Sequence, residues 1–202
     1  RSSRPRRSVG CFRWVDETGT RPHRETRIVV PGTGNVVPRG EIGELCTRGY
    51  SVMLKYWNNE EKTREAIDDA GWMYTGDLAT MDEEGYVQIV GRIKDMVIRG
   101  GENIYPKEIE EFLYTHPAIE EVQVTGIPDD KYGEELIAWV KLAPEAAPVT
   151  AEDLQAFCKG KIAHFKIPKN YKFVDEFPMT VTGKIQKFKM REISIEEMGL
   201  KK

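Results

Sequence analysis

Residues 91–110 read GRIKDMVIRGGENIYPKEIE, and the pattern of the chain changes within this segment. The glycine pair at positions 100 and 101 predicts a turn, because a residue without a Cβ tolerates tight backbone conformations. Pro106 suits the first turn of a helix, where its missing N–H would have no partner. Apolar residues then recur at helical spacing, as at Ile109 and Leu113, so the segment predicts a turn followed by an amphipathic helix.

Downstream of this helix, strand patterns alternate with a second helix pattern. Short apolar runs predict strands at residues 122–127, 135–142 and 171–174. Thr150 is the expected N-cap of a helix over residues 151–161. Two or three strands with helices packed on them make a compact α+β domain, which we place at residues 96–202.

Upstream of the segment, the sequence is β-rich. Strands separated by turns are predicted at residues 27–30, 43–47, 72–74 and 86–90, with one short helix at 60–67. These elements form a small β-rich unit over residues 27–91, and the boundary is predicted at residues 92–95. Residues 1–26 have high charge and no sustained apolar period, which predicts a disordered or irregular segment.

The composition limits the classes of protein to which the chain can belong. Its 202 residues can form one or two domains with a sizeable core. With 30 basic and 33 acidic residues the net charge is −3, so no overall field favours nucleic acid or an anionic membrane. No apolar run has the length of a membrane span.

The cysteines and histidines indicate neither a metal site nor a disulfide framework. Cys11, Cys46 and Cys158 lie far apart, and the three histidines are scattered, so no metal site is predicted in this chain. Reduced thiols favour a cytoplasmic protein. The Arg- and Ser-rich first residues leave the mitochondrial matrix as the alternative.

Two further segments carry candidate chemistry. Tyr74-Thr75-Gly76-Asp77 ends in a carboxylate, which can accept hydrogen bonds from the two hydroxyls of a ribose. An aspartate that only caps its own turn is the alternative. Residues 178–187 read PMTVTGKIQK and place Lys184 in a Thr-Gly turn, where its ammonium can reach a phosphate. A solvated turn in a basic tail is the alternative.

In this order and at these distances, the three segments resemble the C-terminal signatures of the adenylate-forming enzymes. That superfamily contains acyl-CoA synthetases, peptide-synthetase adenylation domains and firefly luciferases. The stretch GGENIYPKEIE at residues 100–110 resembles the fatty-acid and aromatic-acid CoA ligases more than the peptide-synthetase modules. The resemblance implies an acid–thiol ligase, with a long-chain fatty acid as the expected substrate class.

The resemblance implies nucleotide-binding and conformational roles for three residues. It assigns Asp77 to the ribose of ATP and of the acyl-adenylate. Arg92 falls where the family has an arginine near the same ribose, with a structural salt bridge as the alternative. Lys94 falls on the hinge between a large and a small domain, with an exposed lysine at a strand end as the alternative.

The resemblance also implies two roles in the chemical steps. It places Gly100 and Gly101 beside the tunnel for the pantetheine of CoA, with an ordinary hairpin turn as the alternative. It places Lys184 over the bond that forms between the acyl carboxylate and the α-phosphate, as the catalytic residue. The basic residues that follow, Lys187, Lys189 and Arg191, are expected to form a solvated tail, with attraction of nucleotide or CoA phosphates as the alternative.

Two family signatures do not occur in the sequence, namely a phosphate loop ending in Pro-Lys and a segment that binds adenine and magnesium. Residues 27–91 are therefore expected to be the last subdomain of a large AMP-binding N-terminal domain, and residues 96–202 its mobile C-terminal lid. The expected partners are that domain, ATP, CoA and a carboxylic acid, with Mg²⁺ held by the large domain. We expect the chain alone to be inactive; a stand-alone interaction domain is the alternative.

Overall fold

The computed structural model describes residues 11–13, 15–16, 19–20 and 24–200, with side chains from Glu25 onward. The chain divides into two compact units, Arg1–Lys94 and Asp95–Lys202. Each unit is built around its own sheet.

The N-terminal unit is a five-stranded sheet with one short helix. Its elements are β1 (Cys11–Arg13), β2 (Val15–Asp16), β3 (Gly19–Thr20), β4 (Arg24–Val29), β5 (Gly43–Gly49), α1 (Glu60–Ala66), β6 (Met73–Met81) and β7 (Tyr86–Arg92). The strand order is β1-β7-β6-β5-β4, with all neighbours antiparallel, while β2 and β3 pair with each other. The core of this sheet contains Ile28, Leu45, Ala79 and Val87.

The C-terminal unit has a second sheet that is covered by three helices. Its elements are β8 (Val97–Arg99), β9 (Glu102–Ile104), α2 (Pro106–Leu113), β10 (Ile119–Asp129), β11 (Gly133–Leu142), α3 (Ala151–Cys158), β12 (Asn170–Phe173) and α4 (Lys187–Glu197). The order is β10-β11-β8-β9, and β12 runs parallel to β11. Strand β10 therefore forms one edge of this sheet.

Strand β11 is apolar on both faces, because successive side chains point to opposite sides of a strand. Leu136, Ala138 and Val140 pack into one buried cluster, which also contains Ile109 and Leu113 of α2 and Leu154 of α3. Ile137 and Trp139 pack on the other face with Met190 and Ile195 of α4. The Trp139 indole N–H donates to Ser194 Oγ at 3.0 Å, which satisfies the polar atom of a buried ring. Helices thus cover the sheet on both sides.

The predicted α+β class is confirmed by this architecture. Pro106 begins α2, and Thr150 caps α3 in a reciprocal pair of hydrogen bonds with Asp153. The predicted strand at residues 72–74 was too short, since β6 continues through Gly76 to Met81.

Two further sequence expectations are corrected by the structure. The irregular segment predicted for residues 1–26 contains β1, β2, β3 and the start of β4, and β1 pairs with β7. The remainder of that prediction, at residues 1–10, 14, 17–18 and 21–23, lies outside the described residues. The solvated tail predicted after Lys184 is instead helix α4, whose residues Met190, Ser194 and Ile195 are buried.

Within the described part of the chain, no helix has both the length and the apolar character needed to cross a membrane.

Candidate functional site

Asp77 lies in β6, where the ladder is irregular on both sides of the strand. The pairing of β5 with β6 shifts register between Glu44 and Cys46, and that of β6 with β7 shifts between Leu78 and Ala79. The preceding residue, Gly76, has a φ of +73°, which glycine adopts without steric cost. Irregularities of this kind redirect a side chain from the regular alternation of the strand.

A buried carboxylate and a hydroxyl hold the backbone around Asp77. Glu44 is 7% exposed, and its Oε1 accepts from the Gly76 N–H at 3.0 Å. Burial raises the pKa of Glu44, and the hydrogen bond from Gly76 opposes that rise. Thr75 Oγ1 donates to Leu45 O at 2.8 Å and accepts from the Asp77 N–H at 3.1 Å. The backbone of the turn is thus satisfied without the Asp77 carboxylate.

The Asp77 carboxylate pairs with Arg92 across the ladder between β6 and β7. Its Oδ1 lies 3.1 Å from Arg92 Nε, and the side chains are 34% and 71% exposed respectively. An exposed pair of this kind contributes at most about 1 kcal/mol, so a ligand can compete with it. The structural salt bridge considered for Arg92 is therefore present, and its partner is the other candidate nucleotide-binding residue.

Gly100 and Gly101 form the two-residue turn of the hairpin between β8 and β9. Their φ values are +60° and +88°, which are the positive values that this tight hairpin turn requires at both central positions. A Cβ on Gly100 would lie 3.3 Å from Tyr132 Cδ1, whereas a Cβ on Gly101 would have no neighbour within 4 Å. Gly101 therefore presents open space on the outer side of the turn.

The start of β11 holds this hairpin. The Gly100 N–H donates to Tyr132 O at 2.8 Å. Arg99 makes a two-pronged ion pair with Glu135, at 2.8 and 2.9 Å, and also lies 4.4 Å from the centre of the Tyr132 ring. Because Glu135 is 2% exposed, this pair is shielded from solvent and fixes the arginine.

Lys184 lies in a second tight turn of the C-terminal unit. Thr180 organises this turn: its N–H donates to Lys184 O at 2.8 Å, and its Oγ1 accepts from the Lys184 N–H at 3.0 Å. Gly183 has a φ of +77°, and its N–H donates to Thr180 O at 2.9 Å. The Lys184 side chain is exposed and makes no ion pair with any described residue. A mobile cation thus projects from a fixed backbone.

The basic residues after Lys184 anchor α4. Lys187 Nζ lies 2.6 Å from Glu110 Oε1 and 3.2 Å from Val124 O. Arg191 Nη1 lies 2.7 Å from Glu134 Oε1 and 2.8 Å from Gly126 O. Both cations therefore bind the free edge of β10, and the solvated-tail prediction is wrong for these two residues. Lys189 is exposed, as expected of a tail residue.

Lys94 is exposed in a single 3-10 turn, Ile93–Asp95, and is the last residue of the N-terminal unit. Its predicted role as a hinge stays a prediction. Of the sequence-predicted residues, Asp77 and Arg92 are brought into contact. Lys184 is not close to the glycine pair, since none of its atoms lies within 4 Å of the position that a Cβ would occupy on Gly100 or Gly101.

Sequence reasoning missed the residues that position these groups. Glu44 underlies the Asp77 turn, and Tyr132, Glu134 and Glu135 hold the glycine hairpin. A usable signal existed for α4, because Met190 and Ser194 recur at helical spacing alongside its two anchoring cations. Among the described residues no cluster of side chains suited to a metal ion is present.

Residues 108–184 match the family model described as the AMP-binding enzyme C-terminal domain. The chain is 57% identical over 190 residues to the putative acyl-CoA synthetase YngI of Bacillus subtilis, covering 94% of this chain and 34% of that protein. It is 54% identical over 193 residues to the mitochondrial medium-chain acyl-CoA ligase ACSF2 of Danio rerio, covering 96% of this chain and 30% of that protein.

A solved structure with the same fold is that of ATP-bound MatB from Rhodopseudomonas palustris. The TM-score is 0.82 at 40% sequence identity, over 89% of this chain and 35% of that chain. The chain thus spans about a third of the length of the relatives it matches, which are 34% and 30% covered.

Proposed function

We propose that this chain is the C-terminal part of an AMP-forming acyl-CoA synthetase, because residues 108–184 match the AMP-binding enzyme C-terminal domain and the chain is similar to acyl-CoA synthetases. The parent enzyme converts a carboxylic acid and ATP to an acyl-adenylate and pyrophosphate. It then transfers the acyl group to the thiol of CoA and releases AMP. The observation that carries this proposal is the exposed ammonium of Lys184, which projects from a fixed turn and has no ion-pair partner among the described residues.

Lys184 is the catalytic residue of the first step in this proposal. Negative charge accumulates between the acyl carboxylate and the α-phosphate as pyrophosphate leaves. A cation placed there stabilises the transition state more than the ground state, which accelerates the reaction. The hydrogen bonds of Thr180 support this role, because they fix the backbone from which the cation projects.

Asp77 binds the ribose hydroxyls of the nucleotide, with Arg92 beside it. The carboxylate suits that role because its backbone is already held by Glu44 and Thr75. Its ion-pair partner, Arg92, is exposed and can turn toward a nucleotide without loss of packing. The geometry supports a site in which the Asp77 carboxylate gives up its weak ion pair with Arg92 and accepts hydrogen bonds from the two ribose hydroxyls.

Gly100 and Gly101 line the path of the CoA pantetheine during the second step. The open space beyond Gly101 supports this assignment, because a ligand chain can approach the backbone where no side chain intervenes. The hairpin geometry is compatible with the role, since a turn with positive φ at both positions presents bare backbone outward.

The acid is proposed to be a fatty acid, of either long or medium chain length. The sequence resemblance favours a long chain, whereas the zebrafish relative is named a medium-chain ligase. The large N-terminal domain is the proposed partner and the source of the acyl pocket and the Mg²⁺ ligands. The proposed compartment is the cytoplasm, with the mitochondrion as the alternative because that relative is named as mitochondrial.

The proposal is tested by measuring pyrophosphate release with ATP, Mg²⁺, CoA and saturated fatty acids of graded length. We expect turnover by the complete enzyme that contains this chain, and release at background level by the purified 202-residue chain. Aromatic acids serve as the comparison substrates. Turnover by the isolated chain would contradict the assignment to a lid, and inactivity of the complete enzyme with every acid would favour an interaction domain.

Lys94 is proposed as the hinge, and its backbone rather than its charge should matter. Proline fixes φ near −65°, which suits the 3-10 turn seen here but excludes other torsions. Lys94→Pro should therefore lower overall acyl-CoA production by about tenfold while one half-reaction, expected to be adenylation, persists. Single-turnover assays of each step provide the measurement.

Lys94→Ala is the matched control, because it removes the ammonium and keeps the torsional freedom. It should be nearly silent, since the exposed side chain makes no ion pair with a described residue. If the proline and alanine variants have equal activity in both steps, Lys94 is an ordinary surface residue.

A further inference from the structure

One carboxylate in the C-terminal unit bonds two elements that the proposed function uses in different steps. Glu134 Oε2 accepts from the Ile98 N–H at 2.9 Å, at the base of the Gly100–Gly101 hairpin. Glu134 Oε1 lies 2.7 Å from Arg191 Nη1, on helix α4. Because both oxygens are engaged, a shift of either element disturbs the bond to the other.

Other contacts with described residues also hold the hairpin, and these run to β11 or to the loop before it; Gly133 of β11, for example, pairs with Arg99. Glu135 holds Arg99, and Tyr132 O holds the Gly100 N–H. Both belong to the first residues of β11 or the loop before it. Glu134 alone among these residues connects the hairpin to a separate helix.

Helix α4 is in turn connected to the turn that carries Lys184. The Gln186 N–H, directly before the helix, donates to Pro178 O at 2.8 Å, and Met179 and Ile185 form a β-bridge. Arg191 also bonds Gly126 O on the edge of β10, so the helix is fixed against the sheet. A continuous path of bonds therefore runs from Ile98 through Glu134 and Arg191 to the base of the Lys184 turn.

From this path we infer that Glu134, with Arg191, is a positioning residue that makes the glycine hairpin and the Lys184 turn one rigid body. The inference rests on the proposed function, in which these two turns serve successive half-reactions. If the C-terminal unit presents the Lys184 turn to the substrate in the first step and the glycine hairpin in the second, the two turns must keep a fixed position relative to each other. Glu134 fixes the position of the two turns through its bonds to Ile98 and Arg191, without contacting substrate.

The path can be tested in this chain without any assay of activity, by hydrogen exchange of individual backbone amides. Arg191→Met removes the cation but keeps the length of the side chain and leaves the hairpin untouched. We expect exchange of the Ile98 amide to rise about tenfold, because an unanchored carboxylate holds that N–H less well. Glu134→Gln should raise exchange at Ile98 and also at Gly183 and Lys184.

Lys187→Met is the matched control, since it removes a cation from the same helix one turn away. Lys187 pairs with Glu110 and not with Glu134, so the Ile98 amide should keep its exchange rate. An equal rise at Ile98 in Lys187→Met and Arg191→Met would show that loosening of α4 in general is responsible, and would overturn the inference. A uniform rise at every amide, including Val140 in the core, would do the same.

In the complete enzyme, Glu134→Gln should lower kcat of both half-reactions with little change in KM, since it contacts no substrate. Glu120→Gln, which breaks an exposed pair with Lys141, should leave both steps unchanged. Loss of a single step in Glu134→Gln would contradict the role. Because the exchange experiment needs no turnover, it decides the coupling even if the enzyme proves not to be an acyl-CoA synthetase.

Discussion

Replacement of Lys184 by alanine in the complete enzyme is expected to slow adenylate formation by about 10²- to 10³-fold, the effect of removing one preorganised electrostatic group from an active site. Pre-formed acyl-adenylate should still react with CoA at the wild-type rate, because the charge that Lys184 stabilises develops at the α-phosphate only in the transition state of the first step. Single-turnover measurements of pyrophosphate release and of thioester formation separate the two steps.

The slower adenylation expected of Lys184→Ala should not come from unfolding of the protein. Lys184 is exposed and unpaired among the described residues, so its side chain contributes little to the free energy of unfolding. Lys189→Ala is the control, since it removes another exposed lysine five positions along the chain. If Lys189→Ala slowed adenylation as strongly, general attraction of phosphate by the basic helix would explain the effect and Lys184 would have no special role.

The fold was largely readable from local sequence, because its elements follow from short patterns. The apolar run of β11, the proline at the start of α2 and the capping threonine of α3 each specify an element within a few residues. Where two effects competed, the prediction was less complete. Gly76 and Asp77 indicated the end of a strand, yet β6 continues through them because register shifts on both sides absorb the irregularity.

The residues that hold the candidate site in place could not be predicted from the sequence, because they form pairs between positions that are distant in the chain. Lys187 meets Glu110 across 77 positions and Arg191 meets Glu134 across 57. In isolation, lysines and arginines near a C-terminus are most simply explained as solvated charges. Only the tertiary fold shows that the free edge of β10 offers the carbonyl oxygens of Val124 and Gly126 to these two cations.

The motif residues themselves were readable, but their roles come from resemblance and stay predictions. For the glycine pair, the structure shows that the ordinary hairpin turn and a functional loop are compatible, since the same positive φ values serve both. The two possibilities differ in what lies beyond Gly101. An ordinary turn needs nothing there, whereas a tunnel wall requires that the space remain free.

Gly101→Leu should therefore slow thioester formation by about 10²-fold, as expected when a misplaced or obstructed reactant cannot reach its near-attack geometry. Adenylation should persist, because a Cβ at this position would have no non-adjacent neighbour within 4 Å among the described residues. The positive φ of +88° adds backbone strain of about 1–2 kcal/mol, so some loss of stability is expected in any case.

Gly160→Leu separates that strain from the obstruction of CoA. Gly160 has a φ of +76° and also has no neighbour within 4 Å of a Cβ, but it follows α3 and lies in neither candidate turn. Both variants should lower the melting temperature by similar amounts, and only Gly101→Leu should raise the KM for CoA and slow the second half-reaction. Equal kinetics in the two variants would mean that the hairpin is purely structural. Backbone strain, which both variants share, would then explain the whole effect, and the position of Gly101 would not matter.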